Sequence, residues 1–277
     1  MPELPEVEST VRYLRERVEG LLITDASIGW ARTIHTHTPK QFSQLLHRRT
    51  IQEVFRRGKF VAMRLSSPGP AFLLIHLRMS GALDVVSSSA AASSHDRVVI
   101  YLEGGKTLRF NDTRKFGRMY LCEDLHEVVG NLGVEPLDDA FEPGTLREIF
   151  VSRKGAVKPL LLNQNIIAGL GNIYVDEVLW KASIHPLTPA CSVPLNKLGI
   201  LHRAIKETLT EAIALAGTDF GDGVVYGGMY QPLVYGRDGT PCNRCSTTIK
   251  KIVVGQRGTH FCPACQKKSR SKALRVR

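Results

Sequence analysis

The segment CNRCSTTIKKIVVGQRGTHFCPAC, residues 242–265, carries the most specific pattern in the chain. It contains two CxxC pairs, and sixteen residues separate Cys245 from Cys262. This spacing is typical of zinc sites in which four thiolates bind one ion. Apolar runs at 249–254 and 259–261 flank a glycine turn, so we predict a two-stranded ribbon that needs metal to fold. The predicted ligands of one structural Zn²⁺ are Cys242, Cys245, Cys262 and Cys265.

The use of cysteine indicates a reducing compartment. Six cysteines are present, but thiolates stay available for metal in the cytosol, whereas two vicinal disulfides would hold little structure together. Cys122 and Cys191 have no partner at a ligand spacing, and we interpret them as small buried or incidental residues.

Positive charge extends outward from this segment. The 277-residue chain has 37 Lys and Arg against 26 Asp and Glu, for a net charge of +11 at pH 7. Residues 242–277 contain ten basic residues and no acidic one, and a tetrathiolate zinc site would cancel only two of these charges. The predicted partner is therefore a polyanion, with nucleic acid as the leading candidate.

Composition excludes several classes of protein. A hydrophobic content of 43% supports packed cores, which excludes disordered and fibrous chains. No apolar stretch reaches the roughly 18–20 residues that span a bilayer. Residues 1–8 carry acids where a signal peptide carries bases. We expect a soluble protein of the cytoplasm without membrane contact.

The first 124 residues have the pattern of one helix followed by strands. In residues 5–22 apolar side chains recur at alternating steps of four and three, which predicts a helix with one buried stripe. Stretches rich in Val, Ile, Leu and Phe then alternate with Gly, Pro and Ser, as in an antiparallel sandwich or barrel. Gly104-Gly105 suits the positive φ of a tight hairpin turn, and residues 87–94 indicate a loop tip. The predicted strands lie within 24–30, 51–66, 71–86 and 97–123.

Beyond the strands the pattern becomes helical. Residues 125–143 are rich in Gly, Pro, Asp and Glu, and we predict a linker there. Gly169 and Gly171 separate two helices by a glycine turn, and Gly217 is a suitable residue to end the last helix. The predicted helices are 145–151, 157–166, 173–182 and 195–216. The predicted domains are 2–124, 144–236 and 237–266, followed by a basic tail at 267–277.

The N-terminus, Met1-Pro2-Glu3-Leu4-Pro5-Glu6, combines a secondary amine with carboxylates. Removal of Met1 would expose Pro2 as a free amine, and a terminal amine, with a pKa of about 7.7–8.0, is neutral far more often than a lysine. Such amines attack aldehyde-like carbons, and Glu3 could move protons to or from a sugar oxygen. The same residues are also a common way to begin a helix, with proline at N1 and acids in the first turn.

Six motifs occur in order along the chain. They are PELPEVE at 2–8, GKF at 58–60, HLRMSG at 76–81, DTRKFG at 112–117, GLGNIY at 169–174 and the four-cysteine ribbon. Together they resemble the bacterial formamidopyrimidine-DNA glycosylases, over a similarity that runs from Pro2 to about Gln266. The resemblance implies an α+β multidomain fold, with an N-terminal antiparallel β-sandwich, a helix-two-turn-helix domain and a zinc ribbon. This architecture agrees with the segmentation above.

The resemblance implies a bifunctional enzyme of base-excision repair. Such an enzyme excises oxidised purines, 8-oxoguanine and formamidopyrimidines, from duplex DNA and then cleaves the abasic strand by β,δ-elimination. By resemblance, Pro2 is the nucleophile at C1′ and Glu3 is the proton donor that helps open the sugar. Lys59 corresponds to the proton donor in β-elimination, and Arg257 to the residue associated with δ-elimination. The chemistry is coherent, because an iminium at C1′ acidifies the C2′ hydrogens and lets the 3′ phosphate leave.

The resemblance also implies residues that open and hold damaged double-stranded DNA. The damaged base must leave the stack, and side chains must fill the space it vacates. Met79 and Phe116 match apolar wedges, and Arg114 matches the residue that hydrogen-bonds the widowed cytosine. The loop 218–228 falls where relatives close over the flipped base. Positions that match DNA contacts are His76, His95, Arg114, Lys154 and Asn172.

Other functions stay open at this point. An endonuclease VIII-like relative would use the same terminal proline on oxidised pyrimidines, although Leu4-Pro5-Glu6 and the motif at 114–116 favour the purine enzyme. A non-catalytic zinc-containing DNA-binding protein would keep the scaffold, but the presence of Glu3 argues against it. An RNA-binding module is disfavoured because aromatic residues make up only 7% of the chain. We expect a monomer, which suits an enzyme that bends one duplex around two domains.

Overall fold

The computed structural model describes residues 2–218 and 228–268. One compact unit contains the chain up to Leu132 and the segment that starts at Ala212; the other contains Gly133–Glu211 and the segment that starts at Gln231. Most of the predicted loop 218–228 and most of the predicted tail 267–277 lie outside the described residues, at 219–227 and 269–277.

The helices of the described chain are α1 (Leu4–Val18), α2 (Pro39–Leu46), α3 (His126–Val129), α4 (Pro143–Val151), α5 (Val157–Leu162), α6 (Asn172–Lys181) and α7 (Leu195–Ala214). The strands are β1 (Ile23–Ile28), β2 (Ile51–Arg57), β3 (Phe60–Leu65), β4 (Phe72–His76), β5 (Gly81–Ser87), β6 (Asp96–Leu102), β7 (Lys106–Asp112), β8 (Arg118–Cys122), β9 (Lys250–Val254) and β10 (Arg257–Phe261). None of the described helices is both long and apolar enough to cross a membrane.

Helix α1 forms where the apolar stripe predicted it. Its side chains at Val7, Val11, Leu14 and Val18 are fully buried in the core of the first unit. The helix is shorter than the predicted 5–22, because Glu19 adopts an extended conformation and Gly20 has a φ of +83°. The N–H of Gly20 donates to the carbonyl of Ile51 instead, which ties the end of the helix to β2.

Two four-stranded antiparallel sheets follow α1, and together they form the predicted sandwich. The strand orders are β1-β6-β7-β5 and β2-β3-β4-β8. Inward-facing residues of both sheets, such as Val61, Ile75, Leu83 and Ile100, belong to one buried cluster that also contains the α1 stripe. The hairpin between β6 and β7 turns at Gly104-Gly105, both with a φ of +70°, as predicted.

The second unit is helical and ends in the ribbon. Helix α6 begins at Asn172 after a turn in which Gly169 has a φ of +86°. Helix α5 ends at Leu162, earlier than the predicted 166, because Asn163 is extended and its carbonyl accepts the N–H groups of the turn that follows. The Gln164 side chain donates to the carbonyls of Leu162 and Leu170, which fixes the turn between the two helices.

The C-terminal ribbon consists of β9 and β10 in antiparallel pairing, with the turn at Gly255 and Gln256. Both turn residues adopt a positive φ, of 56° and 62°. The fold class predicted from sequence is confirmed, because the antiparallel sandwich, the helical unit and the four-cysteine ribbon are all present.

Candidate functional site

Pro2 and Glu3, the first described residues of the chain, are both buried. Pro2 is buried, and Glu3 is only 1% exposed at the N-cap of α1. The Glu3 N–H donates to Glu6 Oε2 at 2.8 Å, and the two residues form a reciprocal capping box. Both carboxylates therefore lie at the positive end of the helix dipole.

Glu6 is a site residue that the sequence analysis did not assign. Its carboxylate is 2% exposed, and Oε1 accepts the N–H of Thr218 at 2.9 Å. A Cβ added at Gly217 would lie 2.6 Å from the same oxygen, so the chain can approach this closely only with glycine there. Glu6 lies three residues after the N-cap Glu3, which is the position of the acid in a capping box. This spacing could have predicted that Glu6 binds the N–H of Glu3.

Lys59 lies at the turn between β2 and β3 and is 9% exposed. The next residue, Phe60, pairs with His76 across β3 and β4, and their rings lie 4.7 Å apart. Burial, together with the positive charges of Arg78 and Lys59, lowers the pKa of His76 to about 3. His76 is therefore a neutral imidazole at physiological pH.

The hydrogen bonding of His76 also fixes its tautomer. Its Nδ1 accepts the N–H of Arg78 at 3.0 Å, which leaves Nε2 to carry the hydrogen. A neutral ring held in this way has one donor that can bind a phosphate oxygen.

The predicted void-filling residues lie on two loops of the first unit. Met79 is half-buried between β4 and β5, while Arg114 and Phe116 are exposed between β7 and β8. Phe116 is 48% exposed, and the Arg114 guanidinium lies 5.1 Å from its ring centre. An exposed phenylalanine stacked beneath an arginine is not a core residue, so its position favours the wedge interpretation.

His95 lies just before β6, in the same unit. It is exposed, and its Nδ1 lies 3.1 Å from Nη2 of Arg97. Arg97 is itself buried and donates to the carbonyls of Ser94 and Asp112. The imidazole is therefore held against a fixed guanidinium at the start of the strand.

In the second unit, Asn172 and the ribbon turn lie together. Asn172 Nδ2 donates to the carbonyl of Gly258 at 2.9 Å, directly beside Arg257, which is exposed at the start of β10. Asn172 Oδ1 is buried and finds no hydrogen-bond partner among the described residues. Lys154 is exposed in the connection between α4 and α5 and lies in the same unit. Within the described part of the chain, no hydrogen bond or ion pair joins Lys154 to Asn172 or Arg257.

A buried ionic network supports the ribbon turn, and sequence reasoning missed it. Lys158 is fully buried and forms an ion pair with Asp176 at 2.7 Å, and its Nζ also donates to the Gly258 carbonyl at 3.1 Å. Asp176 Oδ2 accepts the N–H of His260 at 2.8 Å. Buried charges are stable only when paired and hydrogen-bonded in this way. No local pattern around Lys158 signals the role.

The neighbouring Glu177 anchors the approach to the ribbon. Its carboxylate accepts the N–H groups of Leu233, Val234 and Tyr235, at 2.8–2.9 Å. Burial raises the pKa of Glu177, and these three hydrogen bonds act in the opposite direction. The two adjacent carboxylates of α6 thus hold both β10 and the segment that precedes the ribbon.

The four ribbon cysteines have the geometry of a tetrathiolate zinc site. Their Sγ atoms all lie within 4.8 Å of one another. The Sγ atom of Cys242 lies 4.0 Å from that of Cys265, and the Sγ atom of Cys245 lies 3.5 Å from those of Cys262 and Cys265. Zn–S bonds of about 2.3 Å at tetrahedral angles require Sγ atoms about 3.8 Å apart, whereas a disulfide requires about 2.05 Å. The four residues therefore fit one structural Zn²⁺.

Donors around the sulfurs complete this metal site. Trp180 Nε1 donates to Cys242 Sγ at 3.4 Å, and the Arg244 N–H donates to the same sulfur at 3.5 Å. The Arg244 guanidinium stacks on the Trp180 ring at 4.1 Å. Such donors stabilise thiolate charge and orient the ligands.

Three family models match the chain in the order of its units. Residues 1–119 match the formamidopyrimidine-DNA glycosylase N-terminal domain, and residues 132–222 match the H2TH domain of the same family. Residues 239–268 match the zinc finger found in FPG and IleRS.

Relatives and solved structures agree over nearly the whole length. A formamidopyrimidine-DNA glycosylase of Protochlamydia amoebophila is 44% identical, over 97% of this chain and 100% of the relative. A structure of MutM in complex with carbocyclic 8-oxo-G containing DNA aligns with a TM-score of 0.89 and 36% identity. Lactococcus lactis Fpg (MutM) in complex with an oxidized pyrimidine containing DNA aligns with a TM-score of 0.89 and 37% identity. Each of these two alignments covers 96% of this chain and 100% of the other. The chain belongs to the formamidopyrimidine-DNA glycosylase family.

Proposed function

We propose that this protein excises oxidised purines from duplex DNA and then cleaves the abasic strand, with Pro2 as the nucleophile. The observation that carries the proposal is the buried, capped N-terminus, where Pro2 and Glu3 are fixed at the start of α1. Pro2 is buried directly before Glu3, the N-cap of α1, and this placement supports a role for its amine after removal of Met1.

The proposed reaction uses groups of this chain together with solvent water, which exchanges protons with the departing base and with C2′ and finally hydrolyses the iminium to release Pro2. After Met1 is removed, the Pro2 nitrogen attacks C1′, the bond to the damaged base breaks, and Glu3 supplies a proton to the ring oxygen as the sugar opens. The resulting iminium acidifies the C2′ hydrogens, so the 3′ phosphate leaves, and a second elimination expels the 5′ phosphate. Lys59 and Arg257 serve these two eliminations, as proton donor and as a cation at the δ-elimination step.

The residues proposed to open the DNA lie in the first unit, and those proposed to bind its backbone include residues of each unit. Met79 and Phe116 fill the vacated stack, while Arg114 bonds the widowed base. His76, His95, Lys154 and Asn172 bind the backbone, and a zinc ion supplies only the cross-link that folds the ribbon. We further propose that the protein acts as a monomer in the bacterial cytoplasm, because a single chain carries all of these groups.

The test is covalent trapping with borohydride on a duplex that contains 8-oxoguanine opposite cytosine, with the adduct located by mass spectrometry. We expect an adduct at Pro2, and we expect Pro2→Gly to abolish normal excision while most DNA affinity persists. The matched control is Pro39→Gly, because Pro39 also lies at the N-terminal end of a helix of the first unit but carries no terminal amine. Normal turnover by Pro2→Gly would overturn the assignment.

Oxidised pyrimidines are the second candidate substrate. A relative with 37% identity has been solved with DNA containing an oxidised pyrimidine, so lesion choice within this fold is not restricted to purines. Excision from a 5-hydroxycytosine duplex, compared with the 8-oxoguanine duplex at equal enzyme, decides between them. Faster excision of the pyrimidine would replace the purine assignment and leave the Pro2 chemistry intact.

A further inference from the structure

Asp112, the last residue of β7, lies at the junction of the loops that carry the predicted DNA-opening residues. It is only 1% exposed. Its Oδ1 accepts the Ser80 hydroxyl at 2.6 Å and the Arg114 N–H at 3.1 Å, and its Oδ2 accepts the N–H of Gly117 at 2.7 Å. One carboxylate therefore binds both the loop that carries Met79 and the loop that carries Arg114 and Phe116.

The backbone of Asp112 reaches a third loop. Its N–H donates to the carbonyl of His95 at 3.0 Å, and its own carbonyl accepts Nε of the buried Arg97 at 2.7 Å. The predicted DNA contact His95 is thus held by the same residue. Three segments far apart in sequence meet at this one position.

Glycines at the loop ends pack directly on the same strand. A Cβ added at Gly117 would lie 2.2 Å from Cζ of Phe110 and 3.2 Å from Asp112 Oδ2. A Cβ added at Gly81 would lie 2.8 Å from Cε2 of Phe110 and 2.4 Å from the Leu77 carbonyl oxygen. The ends of both loops are therefore fixed against β7, which leaves their tips to present the wedge residues.

Each loop also contains a residue in a costly backbone conformation. Arg78 and Lys115 both have a φ of +60°, a region that side chains other than glycine rarely adopt. Lys115 Nζ lies 4.2 Å from the centre of the Trp30 ring, which holds this loop from its other side. Such conformations persist only where the surroundings determine them, and the hydrogen bonds to Asp112 supply that restraint.

The chemistry of Asp112 favours a dedicated role. Among the described residues, its side chain accepts hydrogen bonds from neutral donors, and no ion pair joins it to a Lys or Arg side chain. Burying a carboxylate without a cation is costly, and a core residue is ordinarily apolar. A carboxylate is nevertheless the side chain that offers only acceptors, which is what three converging donors require.

We propose that Asp112 is a positioning residue that holds the two void-filling loops in register, so that Met79, Arg114 and Phe116 enter the duplex as one unit; this rests on the proposed function. Loops that are ordered beforehand lose less conformational entropy when they displace a base. Asp112 touches neither the nucleophile nor Glu3 in the described contacts. Its loss should therefore impair opening of the duplex and spare the chemistry at C1′.

The test compares two substrates, because only one of them must be opened. Excision of 8-oxoguanine from a duplex requires base flipping and void filling, whereas cleavage of an abasic site in a single-stranded oligonucleotide requires neither. For Asp112→Asn we expect the duplex rate to fall by about tenfold, the effect of about 1.4 kcal/mol. We expect cleavage of the single strand to stay within about twofold of the wild-type rate. Loss of a charge-assisted hydrogen bond that mattered to this reaction would lower the rate by more than that.

A matched control and a milder variant keep this test decisive. Asp84→Asn changes a half-buried carboxylate on β5 that binds Tyr13 and neither loop, so it should leave both rates unchanged. Ser80→Ala removes one hydrogen bond to Asp112 and keeps the carboxylate, so it should show a smaller loss on the duplex alone, even if Asp112→Asn fails to fold. The fluorescence of 2-aminopurine beside the lesion rises when the stack opens. We expect this rise to be largest with the wild-type protein, smaller with Ser80→Ala and smallest with Asp112→Asn.

The outcomes separate this inference from the proposed function. Equal losses on duplex and single strand, or no loss in either variant, would overturn the positioning role while wild-type trapping at Pro2 still stands. If the wild-type protein cleaves neither substrate, the proposed function itself is wrong.

Discussion

His76 illustrates how surroundings change the chemistry of one residue. A solvated histidine titrates near pH 6.5, but burial and two neighbouring cations bring the pKa of His76 to about 3. The ring is therefore a fixed neutral donor, with Nδ1 committed to the Arg78 N–H. Sequence alone identified the position by its motif and could not give its charge, because the charge depends on packing against Phe60 and on Lys59.

The lowered pKa of His76 predicts a pH dependence of stability. Between about pH 3 and 6.5 the unfolded chain binds a proton at His76 that the folded chain does not. The contribution of His76 to the free energy of unfolding is therefore fully present above pH 6.5 and is lost as the pH falls toward 3. We expect the free energy of unfolding to drop on the order of 1 kcal/mol from this group between pH 7.5 and 5.5. Urea unfolding at the two pH values should show a smaller drop for His76→Gln.

The matched control for this measurement is His126→Gln, which removes an exposed imidazole on α3. We expect that variant to keep the wild-type difference between the two pH values. An identical drop in wild type and His76→Gln would contradict the assignment of a neutral, buried ring.

At the scale of elements, the sequence pattern predicted those helices and turns that are determined by interactions between residues close together in the chain. The α1 stripe, the Gly104-Gly105 turn and the cysteine spacing each depend on residues close in sequence, and all three were predicted. The ends of α1 and α5 were not, because the Glu19 carboxylate binds the N–H of Val54 on β2 and the Asn163 carbonyl binds N–H groups of the turn before α6.

The buried network of the second unit marks the limit of sequence reasoning. Lys158 pairs with Asp176 at a separation of 18 residues, and Asp176 binds His260 at a separation of 84. Nothing in a run such as VKPLLL distinguishes a buried lysine from a solvated one. The same holds for Asp112, whose partners are assembled from three loops. The assignments of Pro2, Glu3, Lys59 and Arg257 stay predictions, because they rest on motifs and on chemistry.

The ribbon should depend on its metal. Cys245→Ser replaces one of four thiolates by a hydroxyl, which is a poor zinc ligand, and two short strands cannot fold without the cross-link. We expect this variant to lose stoichiometric zinc and to bind duplex DNA more weakly, measured by metal analysis and fluorescence anisotropy. Cys191→Ser is the matched control, since Cys191 is exposed and lies outside the cluster. Full zinc content and full DNA binding by Cys245→Ser would contradict the zinc ribbon.

At the scale of the whole molecule, the net charge of +11 favours association with DNA. A net positive charge attracts any duplex and lets the protein search along it. The predicted backbone contacts divide accordingly. We expect the neutral side chains of His76 and Asn172 to bind phosphate without displacing counterions, whereas cations such as Lys154 should displace them.

This division predicts how salt acts on binding. The affinity for a duplex should fall linearly on a plot of log K against log salt concentration, because each cation–phosphate contact releases about 0.9 counterion. Lys154→Gln should make that slope shallower by about one, while Lys106→Gln, at the exposed β6–β7 hairpin, should leave it unchanged. Anisotropy titrations from 50 to 200 mM salt, roughly the range over which this effect is large, measure both slopes. A flat plot for the wild type would remove the electrostatic basis of binding, and equal changes in the two variants would remove Lys154 from the contact set.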